Sequence, residues 1–434
     1  MTQLAKKKTR MLIPPLGAES FKLKCGATLL VSRQPGAPVC AVQVHIRGGH
    51  SLDPVGKEGT AYLAGSYLTQ GTKDYTEEDI ANLLEPASGA LSGNSTGLSG
   101  HIAGDQWKLL LRLASSCLSA PIYPKQKIEL QKQRILDRLL MERDDPGSQG
   151  AWKFRSLVYG KHWMGQPEYG TLKSVPGIQR ADVVRHHRQH WVAGRSVIAI
   201  SGDLDPIQVL DFLNKSLKDW PEGKPIGELD RRFPVLAQRS AIFAAQRQQV
   251  HVYLGHLGIE RKHADYTALV VMDHILGTGP GFTSRITRKL RDEQGLAYTV
   301  HAAIHSSAGV LPGCFSAYIG TNPENLGTAV RGLQKEIRLI QSKLVSESEL
   351  ELAKSYLTGA YALGVERSAR RVNAMVSAYR NDLPDDHMQA LVDEVAEVTR
   401  DDVRRVAKAH LHPDRSCLVV AGPVTKKDLV GLLE

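Results

Sequence analysis

The chain is poor in cysteine, and what it has does not pair. Cys25, Cys40, Cys117, Cys314 and Cys417 are odd in number, far apart and never in a CxxC arrangement. That argues against a disulfide framework and a cysteine-based zinc site, and points to a reducing compartment. Long apolar runs are missing too. Nothing approaches the roughly 18 uninterrupted apolar residues of a membrane span. The N-terminus is basic at Lys6, Lys7, Lys8 and Arg10, but only Met11-Leu12-Ile13 separates it from Pro14-Pro15. A secretory leader needs a longer apolar region and a small-residue cleavage site. The expected location is the cytoplasm, or the periplasm if a leader has been removed. The basic balance, a net charge of +10, is scattered among acids with no aromatic residues interleaved. That pattern does not suit nucleic acid. No Cys-His pattern supports an independent hydrolase.

What is present is a long globular chain. Its 434 residues are 42% hydrophobic and 23% charged, which suits two or three packed domains. An internal repeat organises them. Arg180, Asp182, Val183, Arg185, His190, Arg195, Ser196 and Gly202 recur as Arg400, Asp402, Val403, Arg405, His410, Arg415, Ser416 and Gly422, at a constant offset of 220 residues. Each copy reads as a helix opened by an Asp, a turn, and an apolar strand ending in Gly. A single offset of this size means duplicated domains rather than a solenoid. Pro221, Gly223, Pro225, Gly227 and Pro234 give linker chemistry between the copies. The expected organisation is an N-terminal extension at 1–20, a first domain at 20–220, a linker at 221–239 and a second domain at 240–434.

Within each half, short strands come first and longer helices later. Residues 28–31, 41–46 and 250–254 alternate as strands. Residues 77–84, 107–118, 125–142 and 347–363 have helical periodicity. The expected class is α+β: two duplicated domains, each a mainly antiparallel sheet with helices packed on one face.

One segment carries a specific resemblance. Gly59-Thr60-Ala61-Tyr62-Leu63-Ala64-Gly65-Ser66, flanked by Gly48-Gly49-His50-Ser51-Leu52-Asp53-Pro54 and by Gly71-Thr72, resembles the zinc-binding helix of the pitrilysin/insulinase metallopeptidases. Their motif is H-x-x-E-H, two histidines for zinc and a Glu that activates water. The resemblance places those histidines at Tyr62 and Ser66 and the catalytic Glu at Gly65. It places the third ligand at Arg138, beside Asp137. It therefore implies an inactive member that binds no metal or other cofactor itself. A separate H-x-x-Q-H at His186, His187 and His190 lies in the repeat, away from this helix, and reads as structural.

The second half keeps what the first has lost. Leu276-Gly277-Thr278-Gly279-Pro280-Gly281-Phe282-Thr283-Ser284-Arg285 resembles the family's glycine-rich loop, with Gly277, Gly279 and Gly281 as its glycines. Arg291 and Tyr298 resemble its substrate-holding Arg…Tyr pair. Residues 284–294 read as a helix stopped by Gly295, and 296–304 as the strand after it. Residues 91–97, including Asn94 and Ser95, occupy the place of the family's peptide-binding edge strand, or a hairpin.

In the two-domain branch of this family two chains face each other, one with H-x-x-E-H and one with the Arg…Tyr pair. The resemblance thus implies a non-catalytic subunit that binds peptide substrate beside an H-x-x-E-H-bearing partner holding the zinc, or a self-dimer. The alternative is a structural homologue like the core subunits of the respiratory cytochrome bc complex.

Overall fold

The computed structural model describes residues 12–13, 15–281 and 283–432. Most of the expected N-terminal extension therefore lies outside the described residues. Among them, no helix is long and apolar enough to cross a membrane, and all five cysteines are free.

The first half builds a six-stranded sheet from β1 (Ala18–Lys22), β2 (Thr28–Arg33), β3 (Val39–Ile46), β4 (Ala90–Asn94), β5 (Gly97–Ala103) and β6 (Ser196–Gly202). Its order is β1-β2-β6-β3-β5-β4. The second half builds a five-stranded sheet from β7 (Arg239–Ala244), β8 (Val250–Leu257), β9 (Val300–Ala303), β10 (Cys314–Thr321) and β11 (Cys417–Gly422), in the order β7-β11-β8-β10-β9. Without β1 the two orders are the same. In each, one parallel pair (β2 with β6, β7 with β11) sits in an otherwise antiparallel sheet. Residues 221–238, between the halves, carry no regular secondary structure.

The helices of the first half are α1 (Thr60–Ser66), α2 (Glu77–Leu84), α3 (Trp107–Ser119), α4 (Lys125–Arg143), α5 (Pro146–Tyr159), α6 (Arg180–His190) and α7 (Pro206–Ser216). Those of the second are α8 (Tyr266–Asp273), α9 (Leu326–Ser342), α10 (Glu347–Gly364), α11 (Ser368–Arg380), α12 (His387–Glu397) and α13 (Arg400–His410). The repeat maps onto α6–β6 and α13–β11, and its residues do matching work. Asp182 accepts the Gln179 N–H at 2.9 Å and Asp402 the Thr399 N–H at 3.0 Å, each fixing a helix start. Arg180 donates to the carbonyls of Ile122 and Tyr123, and Arg400 to that of Val345. Ser196 and Ser416 bond back to the carbonyls of Val192 and His412.

Each half's own helices cover one face of its sheet, and a helix of the other half covers the opposite face. Strand alternation sorts the side chains. Leu29, Val31, Val42, Val44, Ile198 and Ile200 enter the first half's own core. Leu30, Ala41, Val197 and Ala199 point the other way, onto Val372, Met375 and Val376 of α11. The exchange is returned by α5, whose Phe154, Val158 and Tyr159 cluster with Cys417 and Val419 of β11. Burying each such aliphatic or aromatic side chain contributes about 1.5–3 kcal/mol, so the exchange holds the two halves together.

Candidate functional site

The helix that resembles a zinc helix is α1. It starts at Gly59, whose φ of 103° is left-handed. The Asp53 carboxylate accepts the N–H groups of Gly59 and Ala61 at 2.7 Å each, satisfying orphan donors of the first turn. Burial pushes this carboxyl up to about 7. Gly65, at the position matched to the catalytic Glu, touches β4 backbone to backbone. A Cβ there would lie 1.8 Å from the Asn94 carbonyl oxygen, and one on Gly93 would lie 2.1 Å from the Gly65 carbonyl oxygen. The helix thus accepts glycine despite its propensity cost of about 1 kcal/mol, because no side chain fits.

Tyr62 and Arg138 are brought together, but not as ligands. Both meet Tyr169. The Tyr62 ring stands edge-on to it at 6.0 Å, and the Arg138 guanidinium lies 4.2 Å from its centroid. Glu142 closes the group. It accepts from Arg138 Nε at 2.7 Å and from the Tyr169 hydroxyl. Its carboxylate further raises the Arg138 pKa. Trp152 adds an edge contact to Tyr169 at 5.6 Å. A phenol, a hydroxyl at Ser66, a bare glycine and a paired guanidinium do not fit zinc, which takes imidazole nitrogen, thiolate or carboxylate. No step of any reaction can be routed through a metal here. Tyr169 and Glu142, which fill the place, carry no pattern in the sequence that marks them.

The stretch 91–97 is both an edge and a hairpin. β4 ends its sheet and pairs only with β5. Asn94 Oδ1 builds the turn, accepting from the N–H and hydroxyl of Thr96 at 2.9 and 3.0 Å. Ser95 is buried and donates to Glu168. Both side chains are thus engaged within the protein.

In the second half, α8 runs into a π-helical turn at His274–Thr278. There Gly277 repeats the contact made by Gly65, since a Cβ would lie 2.4 Å from the backbone N and O of Ala302 on β9. Gly279 is similarly crowded, 2.8 Å from the His274 carbonyl oxygen, whereas Gly281 is open and needed for its φ of 60°. The helix expected at 284–294 differs from a regular one, because Thr287–Asp292 is a second π-helical segment. Such turns are rare and cluster at functional sites. Arg285 anchors the loop through a two-pronged pair with Glu349 of α10, at 2.7 and 2.8 Å. That guanidinium holds the Glu349 carboxyl down at about 2.

Gly295 adopts φ 64°, and its N–H returns to the Arg291 carbonyl at 3.0 Å. The strand expected from 296 begins only at Val300. The residues before it turn Tyr298 outward, leaving it 84% exposed. The Arg291 guanidinium lies 5.4 Å from the Tyr298 ring centroid. The pair is therefore assembled and faces solvent, with a cation against the ring.

The helical histidines are internally satisfied or walled in. His187 Nε2 bonds the Leu118 carbonyl at 3.0 Å, and burial lowers it to about 4. His190 Nδ1 meets Arg195, and burial holds His186 at about 3. Among the described residues, His263, Asp265 and His410 are the group with three potential ligand atoms close together, within 4.8 Å. Here His263 Nδ1 accepts the Asp265 N–H at 3.1 Å. Asp265 pairs with Arg405 at 2.7 Å and His410 at 2.6 Å, so the group is knit to itself and to a cation.

A first-half helix without H-x-x-E-H, an Arg–Tyr pair in the second half and two similar α+β layers thus occur in one chain. Residues 177–357 match the family model described as the peptidase M16 inactive domain. The chain is similar there to the inactive domain of M16 peptidases. It is similar to an uncharacterized zinc protease of Streptomyces coelicolor, 25% identical over 88% of this chain and 84% of the relative. It is equally similar, at 25% over 86% of each, to a non-peptidase homolog of Helicobacter pylori. The fold matches a crystal structure of a peptidase M16 inactive domain from Pseudomonas fluorescens, with TM-score 0.88 and 22% identity over 94% of this chain and 98% of that one. It also matches a chain of complex III2 from Candida albicans, with TM-score 0.77 and 18% identity over 95% and 97%.

Proposed function

We propose that this chain is the substrate-binding subunit of a heterodimeric zinc peptidase. It lends Arg291 and Tyr298 to the zinc site of a partner carrying H-x-x-E-H, and encloses peptide between the two chains. The observation that carries the reading is the Arg–Tyr pair, assembled at 5.4 Å with its phenol in solvent. An exposed tyrosine with no internal packing task is free to meet a peptide carbonyl, and its guanidinium neighbour can stabilise developing oxyanion charge. The glycine-rich loop Gly277, Gly279, Gly281 sets the backbone beside it. Asn94 and Ser95 hold the turn of the β4 edge, to which a peptide can add as a strand. Five free cysteines fit a cytoplasmic location.

The test is reconstitution. The chain is purified alone and with an H-x-x-E-H homologue, and peptide cleavage is assayed. The pair cleaves and the chain alone does not. Arg291→Ala in this chain lowers kcat/KM of the pair by about 10²-fold, the usual scale for one oxyanion donor. An unchanged rate defeats the shared site. The likeness to a complex III2 chain favours a second reading, an assembly subunit without a peptidase role. On that reading the chain joins a stable complex and cleavage is absent throughout.

A further inference from the structure

We propose that the cleft between the two halves is a carboxylate-binding site, with Arg380 as the residue that holds the anion. The cleft encloses about 810 Å³, within the range of small-molecule and short-peptide pockets. Its walls include His45, Arg47 and His50 from the first half, Trp163 from the segment after α5, and Arg380 and Asp382 at the end of α11. It uses neither Arg291 nor Tyr298, so it stands apart from the heterodimer reading.

The lining carries Arg47, Arg231 and Arg380 against Glu168, Glu228 and Asp382, and Arg231 pairs with Glu260 outside it. Asp382 is bonded to Lys262 at 3.3 Å and lies 4.0 Å from Arg47. Glu168 receives the Ser95 hydroxyl, and Glu228, on the connecting segment, is solvent-exposed. Arg380 has no hydrogen-bond or ion-pair partner among the described residues. It is accessible from the cleft, yet the surrounding walls desolvate it enough to lower its pKa. Burial, Arg380 and then Arg47 hold His45 neutral, at about 3, which marks positive potential in this wall. A second polar group lines the same cleft. His50 Nε2 is buried with no partner, and its ring stands edge-on to Trp163 at 4.8 Å.

A carboxylate supplies a counter-charge to Arg380, and its two oxygens match the guanidinium fork. Trp163 supplies an apolar surface in the same cleft, so the ligand is an acid with an apolar body. A free peptide C-terminus and a small organic acid share this chemistry.

Titration calorimetry on the full chain separates them. The probes are N-acetyl-Ala-Ala-Phe as the free acid, the same tripeptide as its C-terminal amide, and succinate. The free acid binds, and the amide binds at least about tenfold more weakly, the scale of a lost charge-assisted bond. Arg380→Gln gives the same loss with the free acid, Arg380→Lys an intermediate one, and Arg291→Ala none. Binding of succinate as well assigns the site to carboxylates in general, and its absence assigns it to peptide ends. Equal binding of acid and amide, wild-type affinity in Arg380→Gln, or no binding of either acid at millimolar concentration overturns the proposal. Should Arg380→Gln fail to fold, the acid–amide comparison on the wild-type chain and Arg380→Lys decide it.

Discussion

The two halves make the same contact and set different chemistry beside it. In each, a helix following the long central strand crosses the last strand of the sheet at a glycine. Gly65 meets β4 and Gly277 meets β9, both backbone to backbone. Around Gly65 the space is filled by Tyr62, Tyr169, Arg138 and Glu142. Near Gly277 in the chain stand instead two π-helical turns and the exposed Tyr298. The duplicated scaffold thus keeps the glycine contact while the chemistry beside it differs.

If that contact is what matters, a methyl group should damage both halves. Gly65→Ala forces a Cβ to within 1.8 Å of a backbone oxygen and Gly277→Ala to within 2.4 Å of two backbone atoms. Overpacking outweighs the gain in helix propensity. The expected losses are about 3 kcal/mol for Gly65→Ala and about 2 kcal/mol for Gly277→Ala, read from thermal or urea unfolding. A reversed order, or no loss in either, would dissolve the equivalence. The same crowding means that installing His, Glu and His at Tyr62, Gly65 and Ser66, with Glu at Arg138, restores no stoichiometric zinc by metal analysis.

The second-half edge depends on the Arg285–Glu349 anchor, which makes it acid-sensitive. Glu349 falls from an ordinary 4.5 to about 2 in the folded chain. Its contribution is therefore fully present above about pH 4.5 and lost as pH falls toward 2. Both side chains are mostly buried, at 13% and 19% exposure, so about 2–3 kcal/mol is at stake. Glu349→Gln should lower Tm at neutral pH, and its gap to wild type should shrink on acidification. A gap constant with pH would place the effect in packing instead.

The smallest effect is a control. Gly359 lies inside α10, and a Cβ there meets nothing within 4 Å. Gly359→Ala should stabilise by about 0.5–1 kcal/mol. A loss there would mean that glycine-to-alanine costs elsewhere are not specific to the edge contacts.

Much of the architecture was legible in the residue order. The repeat at offset 220 lands on α6 and α13 with the same boundaries, Arg180–His190 and Arg400–His410, because its Asp and Arg residues do local work that any copy must keep. Alternation found β2, β3 and β8, and periodicity found α2, α3, α4 and α10. The resemblance sets Tyr62, Gly65, Ser66 and Arg138 at the zinc-site positions, and the structure brings Tyr62 and Arg138 together on Tyr169. The exchange of α5 and α11 between the halves was not predicted, although one trace of it was visible. β6 and β11 are buried at every residue and read as unbroken apolar runs, the pattern of strands covered on both faces.

Local chemistry, then, decided where helices begin and where strands lie, since those depend on neighbours a few residues apart. Only the tertiary structure decided that Tyr169 and Glu142 gather with Tyr62 and Arg138, that a glycine is demanded at 65, and that Arg380 lines a cleft between the halves. These depend on groups far apart in the chain that meet only when the two sheets trade helices.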